Sequence, residues 1–125
     1  MKTIHSTDQA PAAIGPYSQA VEVKGLVFCS GQIPLTPTGE LVTGDVRVQT
    51  EQVMANIEGL LGSMGLGFED VVKTTIFLSS MDHFAAVNEV YGARFLNAPP
   101  ARSTVAVLGL PKGVDIEIEV ICARS

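Results

Sequence analysis

Histidine and cysteine are scarce in this chain of 125 residues, which holds two of each: His5, His83, Cys29 and Cys122. They are scattered, and no CxxC, HExxH or similar ligand spacing occurs, which argues against a structural or catalytic zinc site. Phosphate cradles are missing too. Gly59, Gly62, Gly65 and Gly67 follow no predicted strand and match neither GxGxxG nor a P-loop. No Ser–His–Asp arrangement is legible. Basic residues are few, 8 Lys and Arg against 13 Asp and Glu, for a net charge of -5. Nucleic-acid binding rests on positive charge that displaces counterions from phosphates, so the balance argues against such a partner. No run approaches the ~20 apolar residues of a membrane span, and Met1–Ser6 contains no apolar h-region. The expectation is a soluble, cytoplasmic protein without a membrane partner, its two cysteines reduced and buried.

What is present is apolar. Hydrophobic residues make up 46% of the chain and charged residues 17%, which excludes intrinsic disorder. The length suits a single domain spanning residues 1–125. The apolar surplus is more than a small monomer favours on its surface, which points to self-association.

The first sixteen residues, with Pro11 and Gly15-Pro16, read as an extended arm. Tyr17 to Val23 and Leu26 to Gln32 read as strands joined by a tight Lys24-Gly25 turn. Pro34, Pro37 and Gly39 make a loop. Asp45 to Met64 is predicted as a helix, with Asp45 as N-cap and Val46, Val53, Ile57, Leu60, Leu61 and Met64 on one face. Gly59 and Gly62 are poor helix residues and imply close packing or a weak C-terminal half. Val71 to Leu78 is a strand, Asp82 to Phe95 a second helix, and Arg102 to Leu108 another strand. In the last strand, Asp115 to Ala123, Ile116, Ile118 and Val120 alternate with Glu117 and Glu119. The order β-β-α-β-α-β-β predicts an α+β fold, one sheet with both helices on one face. The other face needs a cover, and a homo-oligomer supplies one economically.

Three features can carry chemistry. Arg102, where Pro99-Pro100 meets a strand, offers a planar fork of donors for a carboxylate; a surface or ion-paired arginine is the plainer alternative. Glu117 shares a strand face with Glu119, able to hold a water or to form part of an interface, or simply solvated. Asn88 shares the apolar stripe of Phe84, either as a ligand contact or as a satisfied buried amide. His83 reads as flanking the second helix, and His5 as part of a mobile terminus.

Several separated segments resemble one family. Ala10-Pro11-Ala12-Ala13-Ile14-Gly15-Pro16-Tyr17-Ser18-Gln19, Ser30-Gly31-Gln32-Ile33-Pro34 and Val71–Leu78 are similar to motifs of the Rid (reactive intermediate deaminase, or YjgF) family. Phe84–Tyr91, Pro100-Ala101-Arg102-Ser103, Leu110-Pro111-Lys112 and Ile116–Val120 continue the likeness, which is nearest to the RidA subfamily. The resemblance implies a chorismate-mutase-like α+β fold, a homotrimer with sheets around a central barrel, and active sites between subunits. It implies hydrolysis of 2-imino and 2-enamino acids, such as 2-aminoacrylate, to 2-oxo acids and ammonia, with no cofactor. By resemblance, Arg102 pairs with the substrate carboxylate and Glu117 activates water. Tyr17, Ser30 and the Gly31 backbone line the cleft, Asn88 supports it, and main-chain groups near Thr104 contact substrate. Tyr17 and Arg102 can come from different subunits.

Two positions depart from the pattern. Thr104 stands where cysteine is common, which removes a catalytic thiol there. Leu108 stands where a smaller or basic residue is common, read as a packing change. The alternative function is a non-catalytic metabolite-binding or regulatory protein using the same cleft. Retention of Tyr17, Ser30, Arg102 and Glu117 together favours catalysis.

Overall fold

Strict alternation along Ile116–Ala123 sets the two faces of the sheet. Ile116, Ile118, Val120 and Cys122 are buried, while Glu117 and Glu119 project the other way. The computed structural model describes residues 1–125. Its strands are β1 (Thr3–His5), β2 (Ala20–Val23), β3 (Leu26–Gln32), β4 (Val71–Leu78), β5 (Ala101–Ala106) and β6 (Ile116–Ala123). Its helices are α1 (Val46–Ser63) and α2 (Phe84–Gly92). The strands form one mixed sheet in the order β1-β2-β3-β6-β4-β5. Only β4 and β5 pair in parallel; that pair is joined through α2, the crossover a parallel pair requires. Helix α1 packs on β3, β6 and α2, so both helices cover one face and the core lies between the layers. This is the expected small α+β domain.

Local chemistry explains the elements. The Asp45 carboxylate accepts from the Arg47 amide at 2.7 Å and caps α1. Lys24 and Gly25 both take positive φ, 51° and 81°, as a two-residue turn of this hand requires between Val23 and Leu26. Gly59 is where the N-terminal arm crosses α1: a Cβ there would collide with the Gln9 carbonyl oxygen. Around Gly62 there is open space, so only the first of the two glycines serves close packing. Buried Asn56 donates from its side-chain nitrogen to the carbonyls of Leu35 at 2.8 Å and Ile33 at 3.2 Å. That amide fixes the Pro34 loop against α1.

Three sequence expectations need correction. The first sixteen residues are not all arm, because Thr3–His5 pairs with β2 in antiparallel register. His5 is consequently held, its Nε2 2.9 Å from the Glu22 carboxylate. Strand β2 starts at Ala20 rather than Tyr17. The second helix is shorter than predicted: a single 3-10 turn, Met81–His83, precedes α2, and Ser80 accepts from the Asp82 amide at 3.1 Å. Both cysteines are buried and unbridged on the helix side.

Candidate active site

An irregularity in β3 builds one half of the site. Cys29 pairs with Val120 and Gln32 with Ile118, so β3 spends one more residue than β6 over this stretch. The extra residue at Ser30-Gly31 is a β-bulge, a device that bends a strand and re-aims its side chains. It lays the Gly31 backbone against the Glu117 carboxyl so closely that a Cβ would collide with Glu117 Oε2. Glycine is therefore the residue that lets the carboxyl lie there.

The arm closes over this bulge. Ser30 Oγ donates to the Ser18 carbonyl at 2.6 Å, and the Ser30 amide donates to the Gln19 carbonyl at 2.9 Å. Gln19 is buried and organises the arm behind it. Its Oε1 accepts from the Thr7 amide at 2.6 Å, and its Nε2 donates to the Pro11 carbonyl at 2.7 Å. Tyr17 follows as a half-exposed ring on the near side. The result is a cleft of about 540 Å³ that brings together Tyr17, Ser30, Gly31 and Glu117, with Ile33, Leu35 and Lys112 along its wall. Burial, helped by Glu119, raises the Glu117 pKa above its ordinary value. Its carboxyl oxygens have no hydrogen-bond partner in the chain, so their lone pairs are free to accept from water or ligand. The two carboxylates of this face differ, since Glu119 is exposed.

The other half lies elsewhere. Arg102 pairs across the ladder with Thr74, and Thr104 with Ile76, both of which are buried under the helices. Arg102 and Thr104 thus belong to the helix side of edge strand β5, and Glu117 to the open side of β6, with β4 between them. Within one chain Arg102, Asn88 and Thr104 do not meet the Glu117 cleft. Arg102 is nevertheless a prepared group. Its Nη1 donates to the Asn88 side-chain oxygen. Its guanidinium carbon lies 5.5 Å from the Phe84 ring centre and 5.3 Å from that of Tyr91. Contacts of this kind orient a guanidinium while leaving its charge uncompensated. The chain's arginine–carboxylate pairs involve Arg47, Arg94 and Arg124, not Arg102. Of the plainer alternative for Arg102 the ion-paired half fails and the surface half stands, since Arg102 is exposed; the buried-amide alternative fails for Asn88, which is exposed and bonded to the guanidinium.

Thr104 presents a different sign of incompleteness: its hydroxyl oxygen is buried and has no partner. Leu108 is fully exposed and packs against nothing in its own chain, contrary to its reading as a packing change. His83 flanks α2, 3.8 Å from Asp115, outside the cleft. No three His, Cys, Asp or Glu side chains gather as metal ligands, and no helix is long and apolar enough to cross a membrane. Sequence reasoning gave no role to Gln19 or Lys112. A glutamine closing the Tyr17 segment and a lysine in the Pro111 turn were visible as residues, but their convergence depends on the fold.

Residues 7–124 match the family described as Endoribonuclease L-PSP. Protein DfrA of Myxococcus xanthus is 57% identical over 123 residues, covering 96% of this chain and 93% of its own. The 2-iminobutanoate/2-iminopropanoate deaminase of Mus musculus is 43% identical over 126 residues, covering 100% of this chain and 93% of its own. The crystal structure of E. coli TdcF with bound serine superposes with a TM-score of 0.93 at 40% identity, covering 98% of this chain and 99% of that one. Fold, motifs and near-complete coverage agree, and the chain belongs to this Endoribonuclease L-PSP family, the Rid/YjgF family its motifs resemble.

Proposed function

We propose that the protein is an enamine/imine deaminase that hydrolyses 2-imino acids such as 2-iminobutanoate and 2-iminopropanoate, and their 2-aminoacrylate-type enamine tautomers, to 2-oxo acids and ammonia. The observation that carries this reading is the pair of incomplete half-sites. A desolvated carboxylate without a partner lines a cleft, and an oriented guanidinium without a carboxylate stands on an edge strand. In a homotrimer, β5 of one copy abuts the cleft of the next, so that Arg102, Asn88 and Thr104 face Tyr17, Ser30, Gly31 and Glu117 across the interface. The fork of Arg102 then clamps the substrate carboxylate. Anchoring fixes the imine carbon beside a water held by Glu117, which turns an encounter into an oriented reaction. Water oxygen bonds to the imine carbon as Glu117 accepts its proton, and the nitrogen takes up a proton. The tetrahedral intermediate then collapses: Glu117 takes the hydroxyl proton after giving the first to the amino nitrogen, the C–N bond breaks as the C=O bond forms, and ammonia leaves with the 2-oxo acid behind. No step draws on a cofactor or a thiol. The name of the mouse relative supports the reaction class, and serine in TdcF is a carboxylate-bearing ligand in a relative.

The test couples purified protein to a threonine dehydratase and follows imine decay. Arg102→Lys keeps the charge but loses the planar fork, and is expected to lose most activity while staying folded. Breaking a desolvated charge pair costs ~2–5 kcal/mol. Mixing inactive Arg102→Ala with inactive Glu117→Gln subunits is expected to restore about a quarter of the wild-type sites, because each shared site draws one half from each of two copies. Near-normal turnover by Arg102→Lys removes Arg102 as the anchor, and mixtures that stay inactive remove the shared site. RNA cleavage that disappears in Arg102→Ala in parallel with imine hydrolysis replaces the assignment with a nuclease.

A further inference from the structure

The cleft poses an electrostatic problem. The proposed substrate is an anion, yet the cleft contains the Glu117 carboxylate, with Glu119 on the same strand face, in a chain of net charge -5. Low-dielectric walls focus such a field and lower the local concentration of anions. One cation of the chain lines this cleft, Lys112.

Lys112 is free to act. The ion pairs of the chain involve His5, Arg47, His83, Arg94 and Arg124, and Lys112 belongs to none of them. Lys112 is exposed, and its side chain takes part in no hydrogen bond within the chain. Its backbone has φ 58°, the left-handed region that glycine occupies without cost, and Gly113 follows at φ 68°. A lysine is thus held where local preference favours glycine. The turn itself is fixed: the Gly113 amide donates to the Leu110 carbonyl at 3.1 Å, and Val114 is buried in the core. The ammonium therefore rides on a firm turn at the rim of the cleft, five positions before Glu117.

We propose that Lys112 is a specificity-determining residue whose unpaired ammonium at the cleft rim attracts carboxylate-bearing imino acids and so selects them over uncharged imines. The inference rests on the deaminase reading of the cleft. Its role is distinct from that of Arg102. Arg102 clamps the carboxylate in the completed site, whereas Lys112 admits the anion to it, through an interaction that salt screens over ~10 Å at 0.1 M.

The experiment compares wild type, Lys112→Met and Lys112→Arg. Lys24→Met serves as the control, because Lys24 also sits at positive φ, 51°, in the turn at the far end of β3 and carries the same charge. Methionine retains the Cβ and the stem, so the backbone cost is unchanged. The first readout is the Kd of 2-oxobutanoate and of its uncharged amide, 2-oxobutanamide, by NMR titration across ionic strength. The second is kcat and KM in the dehydratase-coupled assay. Lys112→Met is expected to weaken 2-oxobutanoate about 3- to 10-fold at low salt, with the gap closing near 0.5 M salt, in line with screened steering. Binding of the amide should stay unchanged, KM should rise while kcat holds, and Lys112→Arg should restore the anion. Equal binding and equal salt dependence in wild type and Lys112→Met overturn the proposal. So does equal weakening of the amide, which assigns Lys112 to packing. If wild type hydrolyses no imine, the deaminase reading fails by itself, and the two titrations still decide whether Lys112 selects anions.

Discussion

A carboxylate serves as a base when its oxygens are unoccupied and its proton affinity lies closer to neutrality than that of a free side chain. Glu117 meets both conditions, because burial disfavours its charged form and nothing in the chain donates to it. Two consequences follow in opposite directions. Catalysis needs the ionised form, so the acid limb of kcat/KM should lie above the ordinary value of 4.5. A raised pKa in the fold means that stability is fully present below the unfolded pKa and is lost as pH rises through the folded one. Glu117→Gln should therefore lower imine hydrolysis by ~10²–10⁴-fold, the range for a positioned base, while melting no lower than wild type at neutral pH. A variant that keeps its activity, or that melts well below wild type, would remove the base and leave a structural glutamate. The residue types of Glu117 and Arg102 were legible in the sequence. The missing partner of Arg102 was not, because ion pairs such as Arg94 with Glu51 and Arg124 with Glu22 join residues far apart in the chain.

At the scale of elements, periodicity located β3, β4, β6 and α1 because each has a buried face with enough positions to show a period. Strand β1 escaped for the opposite reason: it has three residues, two of them exposed. What holds it is tertiary. Glu22 on β2 receives His5 from β1 at 2.9 Å and Arg124 from the C-terminal end of β6 at 2.9 Å. The same guanidinium donates to the Met64 carbonyl after α1 at 2.7 Å. This latch ties both ends of the chain to the sheet. Hydrogen bonds from Arg124 and then His5 hold the Glu22 pKa down at about 2, against an ordinary 4.5. A depressed carboxyl pKa contributes stability above the unfolded value that is lost as pH falls through the folded one. The stability gap between wild type and Glu22→Gln should accordingly be open at pH 6 and close between pH 4.5 and 2. Urea midpoints across that range test the latch, and a gap that stays constant with pH assigns the effect to packing instead. The bulge at Ser30-Gly31 was equally hidden. A glycine in a strand signals one, but only the register against β6 reveals that it serves Glu117.

Across the whole molecule, the sheet face opposite the helices decides what state the chain works in. Phe28 and Ile121 pair across β3 and β6 on that face, and Leu26 and Phe28 remain 42% and 43% exposed. Val105 on the edge strand is 43% exposed and Leu108 beyond it is fully exposed. Apolar groups on one broad face are the mark of an interface rather than of a free surface. Their location links assembly to chemistry, since the open face of β6 carries Glu117 and the edge strand carries Arg102. A charge introduced at the centre of the face should then abolish both at once. Phe28→Glu leaves the helix-side core untouched, because position 28 points away from it, so the chain should keep its circular dichroism spectrum. Its carboxylate would be buried without a partner in any assembly that uses this face, a cost of several kcal/mol that outweighs a typical contact. The expected result is a folded monomer by sedimentation equilibrium, without imine hydrolysis, while wild type sediments as a trimer. A folded Phe28→Glu monomer with full turnover would show that one chain holds a complete site. A trimer unaffected by the substitution would show that the open face is covered by something other than a second copy.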